Sequence, residues 1–407
     1  MAPEPADTTA LEHSQSVRIL TLISTGHALS NFYVLCIPAL IPFLKLEFGV
    51  SYAMLGLLLT VRAITSGLLQ IPMGFMVDQL GGKRVLIAGL FMLSTSFTLF
   101  AFIPSIWWAM PLMVLFGVGI ATMRPANYTI LIASISSSWI GRAFGINMFA
   151  AHSGRAIAPP LILSIAIIWD WRVAMFMAGA MGFVVATTLT TQWRIVCDDT
   201  VRPKRSHGLS FTQEIRTLAS GSLFLFFIFF IFNALTTHGV HSFTVAALAE
   251  LRATPLTVAS GALTGYLIAS ALGVLAGGFL VDKTPRHALV AVAVMLGSGA
   301  LFIVVGAVDM SIVLIIVTMS VNGILQGVLR PARDMLMRAV IPKESFGKAI
   351  GMVATGAAIG GATAPVVFGW ILDTGHPAWL FYVLAGCLAI LIVTILIPKT
   401  RIVLPPG

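Results

Sequence analysis

One short stretch of sequence decides the fold: Gly74-Phe-Met-Val-Asp78-Gln-Leu-Gly81-Gly-Lys83-Arg84. It ends one apolar segment and begins the next. Glycine permits a tight turn and close helix approach, and lysine and arginine mark the cytoplasmic side of a membrane. A related stretch, Gly278-Phe-Leu-Val-Asp282-Lys283-Thr-Pro-Arg286, occurs further along the chain. We therefore predict a basic turn between two helices, and we expect this turn to occur twice in the chain.

The composition around this stretch is that of a membrane protein. The 407 residues are 58% hydrophobic and only 10% charged, whereas soluble domains average about 45–50% apolar and about 25% charged. This excludes a soluble enzyme, a disordered chain and a receptor with a large extramembrane domain. A membrane-spanning helix needs roughly 20 mostly apolar residues. We predict an all-α membrane protein with twelve transmembrane helices at 17–44, 53–78, 84–103, 106–135, 141–167, 172–194, 219–247, 256–282, 287–307, 311–338, 347–372 and 378–398.

The basic residues orient these helices. Of 24 Lys and Arg residues, 16 fall at one side of the predicted spans, and only Lys45, Arg172 and Arg252 fall in the opposite loops. By the positive-inside rule, both termini and the central loop are cytoplasmic. The net charge of +9 is therefore mostly topological, and no nucleic-acid partner is expected. The predicted division is an N-terminal tail 1–16, a six-helix bundle 17–194, a central loop 195–218, a second bundle 219–398 and a tail 399–407.

No cleaved signal peptide is expected, because Met1–Val17 lacks a basic n-region. We expect a monomer in the bacterial cytoplasmic (inner) membrane, with the lipid bilayer as its surroundings.

The two bundles are related by an internal repeat. Three features recur at an offset of 206 residues: the stretch from Gly117 to Ala126, the Gly-x-Ala-x-Gly pattern that ends at Gly145, and the pair Gly154 and Pro159. Because each half has an even number of spans, the repeats run parallel. Parallel repeats are typical of transporters that rock two halves about a midplane site.

With twelve spans divided six and six, the stretch from Gly74 to Arg84 resembles the signature loop of the major facilitator superfamily. Gln79 stands where a basic residue is more usual, and Pro285 replaces the second glycine in the second copy. The resemblance implies the major facilitator fold, a secondary transporter, and a gating motif at Gly74, Asp78, Gly81, Lys83, Arg84, Gly278, Asp282, Lys283 and Arg286.

The first two helices also resemble the fosmidomycin-resistance branch, in Gly26-His-Ala-Leu-Ser-Asn31 and Ser51-Tyr-Ala-Met-Leu-Gly56. That resemblance implies an alternative function, efflux of an anionic drug or phosphonate. Met113 stands where drug/proton antiporters of the superfamily carry an arginine, and this departure counts against proton-driven drug efflux.

Arginines inside the predicted spans indicate the chemical class of the substrate. An arginine at bilayer depth costs at least about 2.5–3.5 kcal/mol and marks a functional site by default. Five such arginines face a single acid, Asp334, so we predict transport of a small organic anion, most simply a carboxylate. Arg124 and Arg330 occupy equivalent positions in the repeat and could grip one anion, since guanidinium binds carboxylate in bidentate fashion. Arg62 and Arg155 are further predicted contacts.

Two alternatives remain open for these arginines. Arg330 and Asp334 are four residues apart and could simply pair on one helix face. Arg333 lies near the cytoplasmic end of its span and could snorkel or close a gate.

Other polar residues of the spans complete the predicted site. His27, Asn31 and Tyr33 on the first helix, and His238 and His241 on the seventh, are candidate substrate contacts, and Tyr128 and Tyr266 are further hydroxyls. A histidine can carry a proton near neutral pH or simply bond a neighbouring helix.

Asp334 and His152 are the candidates for a co-transported proton, while exchange and facilitated flux stay open. The sequence has no motif for ATP, zinc or the common hydrolases. We therefore expect no cofactor, no metal and no enzymatic activity.

Overall fold

The computed structural model describes residues 5–136, 139–192, 221–340 and 346–397. These residues contain twelve long helices: α1 Pro5–Phe48, α2 Tyr52–Leu80, α3 Gly82–Phe100, α4 Ala109–Ser134, α5 Ile140–Ile168, α6 Trp171–Thr191, α7 Gly221–Arg252, α8 Leu256–Lys283, α9 His287–Ala307, α10 Ile312–Val340, α11 Phe346–Asp373 and α12 Ala378–Leu396. Within those ranges there is no β-strand, and each of the twelve helices contains a segment long and apolar enough to cross a membrane. The all-α, twelve-helix prediction is confirmed.

The ends of the helices lie within a few residues of the predicted spans, with one larger difference at the N-terminus. Helix α1 begins at Pro5, inside the stretch predicted as a tail, and its membrane-length part begins at Gln15. A short 3-10 turn at Ile106–Trp108 precedes α4. The predicted central loop 195–218 and the C-terminal tail 399–407 lie outside the described residues.

The chain forms two compact units. One comprises Met1–Leu40 and Val61–Lys204, and the other comprises Ile41–Thr60 and Arg205–Gly407. The end of α1 and the start of α2 thus belong to the same unit as α7–α12. The predicted division into bundles at 17–194 and 219–398 stays a prediction.

Small residues bring the helices of the first unit together. A Cβ on Gly154 of α5 would overlap the backbone oxygen of Ala28 of α1, and a Cβ on Gly117 of α4 would lie 2.8 Å from the backbone oxygen of Arg62 of α2. Helix α3 packs against α4 and α6, and α5 packs against α6. Close backbone contact of this kind is the usual basis of helix association in membranes.

The second unit repeats these contacts at the positions that the sequence repeat predicts. Gly360 of α11 abuts the backbone oxygen of Ile231 of α7, and Gly323 of α10 abuts that of Tyr266 of α8. Helix α9 packs against α10 and α12, as α3 packs against α4 and α6. The two units therefore share one internal packing scheme.

The stretch from Gly74 to Arg84 forms the predicted turn. Gly81 separates α2 from α3 with φ of +89°, in the left-handed region that glycine adopts readily. Asp78 and Arg84 are exposed, whereas Lys83 is buried. In the second copy, Asp282, Lys283 and Arg286 are all exposed.

Candidate functional site

The first unit contains a buried polar cluster centred on His27 of α1. Its Nδ1 lies 2.7 Å from Oδ1 of Asn147 of α5, and Nδ2 of Asn147 donates to Oγ of Ser24 over 3.3 Å. Because an amide oxygen only accepts, Nδ1 carries the proton of this hydrogen bond. The bond leaves Nε2 as the nitrogen of His27 that can gain or lose a proton.

Two predicted arginines belong to the surroundings of His27. The guanidinium groups of Arg155 on α5 and Arg124 on α4 both act electrostatically on its ring. Asn31 donates its side-chain amide to the backbone oxygen of His27 over 2.9 Å. The first unit therefore groups four of the predicted site residues around the α1–α5 contact.

Arg62 on α2 is a buried cation with an aromatic neighbour. Its side chain is 8% exposed, and its Cζ lies 5.6 Å from the ring centroid of Phe116. Among the described residues its Nε has no hydrogen-bond partner, and no acid lies within ion-pair distance. A buried, unpaired guanidinium is costly, so this arginine is a strong candidate for contact with an anionic ligand.

Tyr33 has a different environment from the one expected of a substrate contact. Its side chain is fully buried, its hydroxyl donates to the backbone oxygen of Ala178 of α6 over 2.8 Å, and its ring stacks at 4.2 Å on Phe97 of α3. These contacts place Tyr33 in the α1–α3–α6 interface.

In the second unit, Arg330 of α10 and Tyr266 of α8 interact electrostatically. The ring of Tyr266 makes an edge contact with His241 of α7, with 6.3 Å between the ring centroids. The same Tyr266 contacts Gly323 through its backbone. Arg330, Tyr266 and His241 thus form a cluster drawn from three helices, and Tyr266 has a larger part in it than the sequence suggested.

Asp334 pairs with Arg333 rather than with Arg330. Nε and Nη2 of Arg333 lie 3.0 and 2.9 Å from Oδ1 of Asp334, and Cζ of Arg333 lies 4.9 Å from the centroid of Phe230. The alternative in which Arg330 and Asp334 simply pair is therefore wrong, because Asp334 pairs with its neighbour in sequence, Arg333. Arg330 forms no ion pair with any described side chain.

Two further candidate histidines, His238 and His152, lie at a helix contact and at a partly buried position. His238 of α7 lies next to Gly361 of α11, where an added Cβ would be 3.0 Å from Nε2. His152 is partly buried on α5. Across the described ranges, no group of three or more His, Cys, Asp or Glu residues could hold a metal ion.

One cluster escaped the sequence analysis. In the second unit, Glu250 near the end of α7 accepts hydrogen bonds from the hydroxyl of Tyr52 over 2.6 Å and from Lys45 over 3.3 Å. Asp373, the last residue of α11, accepts from the backbone N–H groups of Tyr52 and Ala53 over 2.7 and 2.8 Å. The only available signal was charge at helix ends, which does not identify partners hundreds of residues apart.

Comparison with known proteins places these features in a family. The family model of the Major Facilitator Superfamily matches residues 22–248 and 238–406. The membrane sensor protein UhpC of Escherichia coli K12 is 24% identical, and the match covers 94% of this chain and 92% of UhpC.

Two further relatives match only part of the chain, and both are named as probable transporters. The probable sulfoacetate transporter SauU of Cupriavidus necator is 29% identical over 35% of this chain and 33% of its own length. The probable galactarate/D-glucarate transporter GarP of E. coli K12 is 27% identical over 41% of this chain and 39% of its own length.

A solved structure shares the fold. A bacterial homologue of the human lysosomal transporter Spinster, in an inward-facing and occupied conformation, superposes with a TM-score of 0.76 at 16% identity, over 93% of this chain and 95% of that one. The twelve helices, the repeated contacts and the family model agree: the chain is a multi-pass membrane protein that belongs to the Major Facilitator Superfamily.

Proposed function

We propose that this transporter carries a small organic anion, most simply a carboxylate, across the bacterial inner membrane by alternating access, with both of its termini in the cytoplasm. The observation that carries the proposal is the unbalanced positive charge of the spans. Arg62, Arg124 and Arg330 form no ion pair with another described residue, and the acid nearest to Arg330 in sequence is taken by Arg333. A bound anion would supply the missing negative charge.

Arginine suits this role better than lysine does. Its planar guanidinium offers two parallel N–H groups to a carboxylate and stays charged at any physiological pH. We assign anion binding to Arg124 in the first unit and to Arg330 in the second, with Arg62 and Arg155 as further contacts. The relatives named for sulfoacetate and for galactarate and D-glucarate favour a carboxylate over the phosphonate-efflux alternative.

Uptake into proteoliposomes tests this proposal. We expect the purified protein to bind and accumulate at least one of D-glucarate, galactarate and sulfoacetate. A hydrogen bond to a charged group contributes about 1.5–3 kcal/mol, so Arg124→Ala and Arg330→Ala should each lower uptake by about 10- to 100-fold.

Arg142→Ala is the matched control, because this exposed arginine at the start of α5 has no assigned role and should transport as the wild type does. Failure of all three anions to bind or enter would contradict the function. Full uptake by both Arg124→Ala and Arg330→Ala would contradict the assignment of the site.

Arg62→Met should separate binding from stability. Burying a charge without a counter-charge is costly, and an apolar side chain of similar length removes that cost, so the melting temperature should hold or rise. Anion binding should weaken by about tenfold or more, as expected for the loss of one charged contact. Thermal unfolding with and without D-glucarate, galactarate or sulfoacetate measures both effects.

The control is Arg172→Met, because Arg172 also lies over an aromatic ring, 4.3 Å from that of Trp171, but has no assigned role in binding. It should leave anion binding unchanged. If Arg62→Met melts at a lower temperature and binds as well as the wild type, Arg62 has only a packing role.

A further inference from the structure

His27 has the geometry of a proton site that responds to a bound anion. Its Nδ1–H is held by Asn147 over 2.7 Å, and Asn147 is itself held by Ser24. The ring is therefore fixed, and its tautomer is fixed with it. Only Nε2 is then left to accept a further proton, and an imidazole with one nitrogen held and the other available is suited to accept a transported proton.

The charged groups around His27 come from two neighbouring helices. Arg155 on α5 and Arg124 on α4 both act on the ring, and Arg155 directly follows Gly154, whose backbone abuts Ala28 next to His27. On α3 and α6, the side chains that approach the adjacent Gly26 are the apolar Leu90 and Leu189. The other titratable residue on this part of α5 is His152, and α1 has none between Arg18 and Tyr33 besides His27 itself.

Two positive charges oppose the addition of a third at Nε2. An anion held by this positive field would offset the repulsion and make protonation of His27 more favourable. By thermodynamic reciprocity, a proton on His27 would strengthen anion binding by the same factor.

We propose that His27 Nε2 is the coupling-proton site of this transporter, and that proton and anion bind cooperatively through the field of Arg124 and Arg155. The proposal rests on the proposed function, since it needs an anion at these arginines. It assigns the proton to His27 instead of the two residues favoured by the sequence, His152 and Asp334, the second of which is engaged by Arg333.

Proton uptake on anion binding tests the proposal directly. Titration calorimetry with D-glucarate, galactarate and sulfoacetate, in two buffers of different ionisation enthalpy, counts the protons taken up per anion bound. For the wild type near pH 7.5 we expect net uptake approaching one proton, and an affinity that falls by up to about tenfold per pH unit as the pH rises.

The variants then assign the proton to a residue. His27→Gln keeps a polar side chain but cannot titrate, so it should bind the anion with no proton uptake and no such pH dependence, and should exchange anions without accumulating them against a gradient. His27→Asn provides a second non-titrating side chain if the first variant folds poorly. His152→Gln and Asp334→Asn should take up protons as the wild type does.

Each result decides between the proposals. If none of the three anions binds, the proposed function falls and this inference falls with it. If the wild type binds an anion without taking up a proton, the inference is overturned while the proposed function stands. If His27→Gln or His27→Asn still takes up the proton, His27 is not the site.

Discussion

Replacing Gly154 with alanine is expected to destabilise the fold strongly, because the new Cβ would overlap the backbone oxygen of Ala28. A backbone oxygen within a helix cannot rotate away as a flexible side chain can, so α1 and α5 must separate. Overpacking typically costs about 1–3 kcal/mol and occasionally more, and we expect the upper part of that range. For a unit of this size, the melting temperature should fall by about 4–10 °C.

The same helix supplies the control. Gly145 of α5 has no neighbouring atom within 4 Å of an added Cβ, and alanine is favoured over glycine inside a helix by about 1 kcal/mol. Gly145→Ala should therefore keep or raise the melting temperature.

The second unit repeats the comparison. Gly360→Ala, whose Cβ would meet the backbone oxygen of Ile231, should destabilise, and Gly351→Ala, whose Cβ would meet open space, should not. Thermal unfolding of the four variants in detergent measures the effect. If Gly145→Ala and Gly154→Ala have the same melting temperature, the close α1–α5 contact does not contribute to the stability of the fold.

These glycines also show what sequence reasoning can reach. The recurrence of Gly145 and Gly154 at Gly351 and Gly360 was visible in the sequence. The twelve spans were visible too, because an apolar run of roughly 20 residues is typical of a membrane-spanning helix. The sequence did not show that Gly154 and Gly360 contact a neighbouring backbone while Gly145 and Gly351 do not. That depends on helix rotation and crossing, which the repeat alone does not specify.

The polar residues show a sharper limit. The five arginines of the spans stand out because their cost in a bilayer is high, yet their partners depend on side-chain direction. Asp334 could have met Arg330 one turn away, but it meets the adjacent Arg333. Asn147, the residue that orients His27, carries no sequence signal at all, since a single asparagine in a helix resembles any other.

The N-terminus of α2 is capped by Asp373, a residue far away in sequence. A helix start leaves its first N–H groups without partners. Here Asp373 accepts from Tyr52 and Ala53, while Ser51 accepts from Met54 through its hydroxyl over 3.1 Å. The carboxylate is also favoured at this end by the helix dipole.

Asp373→Ala should therefore release the first turn of α2, which starts the helix that carries Arg62 about 15 Å further along. Losing hydrogen bonds to a charged acceptor costs about 1.5–3 kcal/mol, so amide hydrogen exchange in a peptide covering residues 51–56 should become roughly 10- to 100-fold faster. Asp373→Asn keeps one acceptor oxygen, so the exchange rate of this peptide should lie between those of the wild type and Asp373→Ala. Asp309→Ala, which removes a fully exposed acid paired with Arg252 in the same unit, should leave this peptide unchanged. Equal exchange in Asp373→Ala and the wild type would mean that Ser51 alone holds the turn.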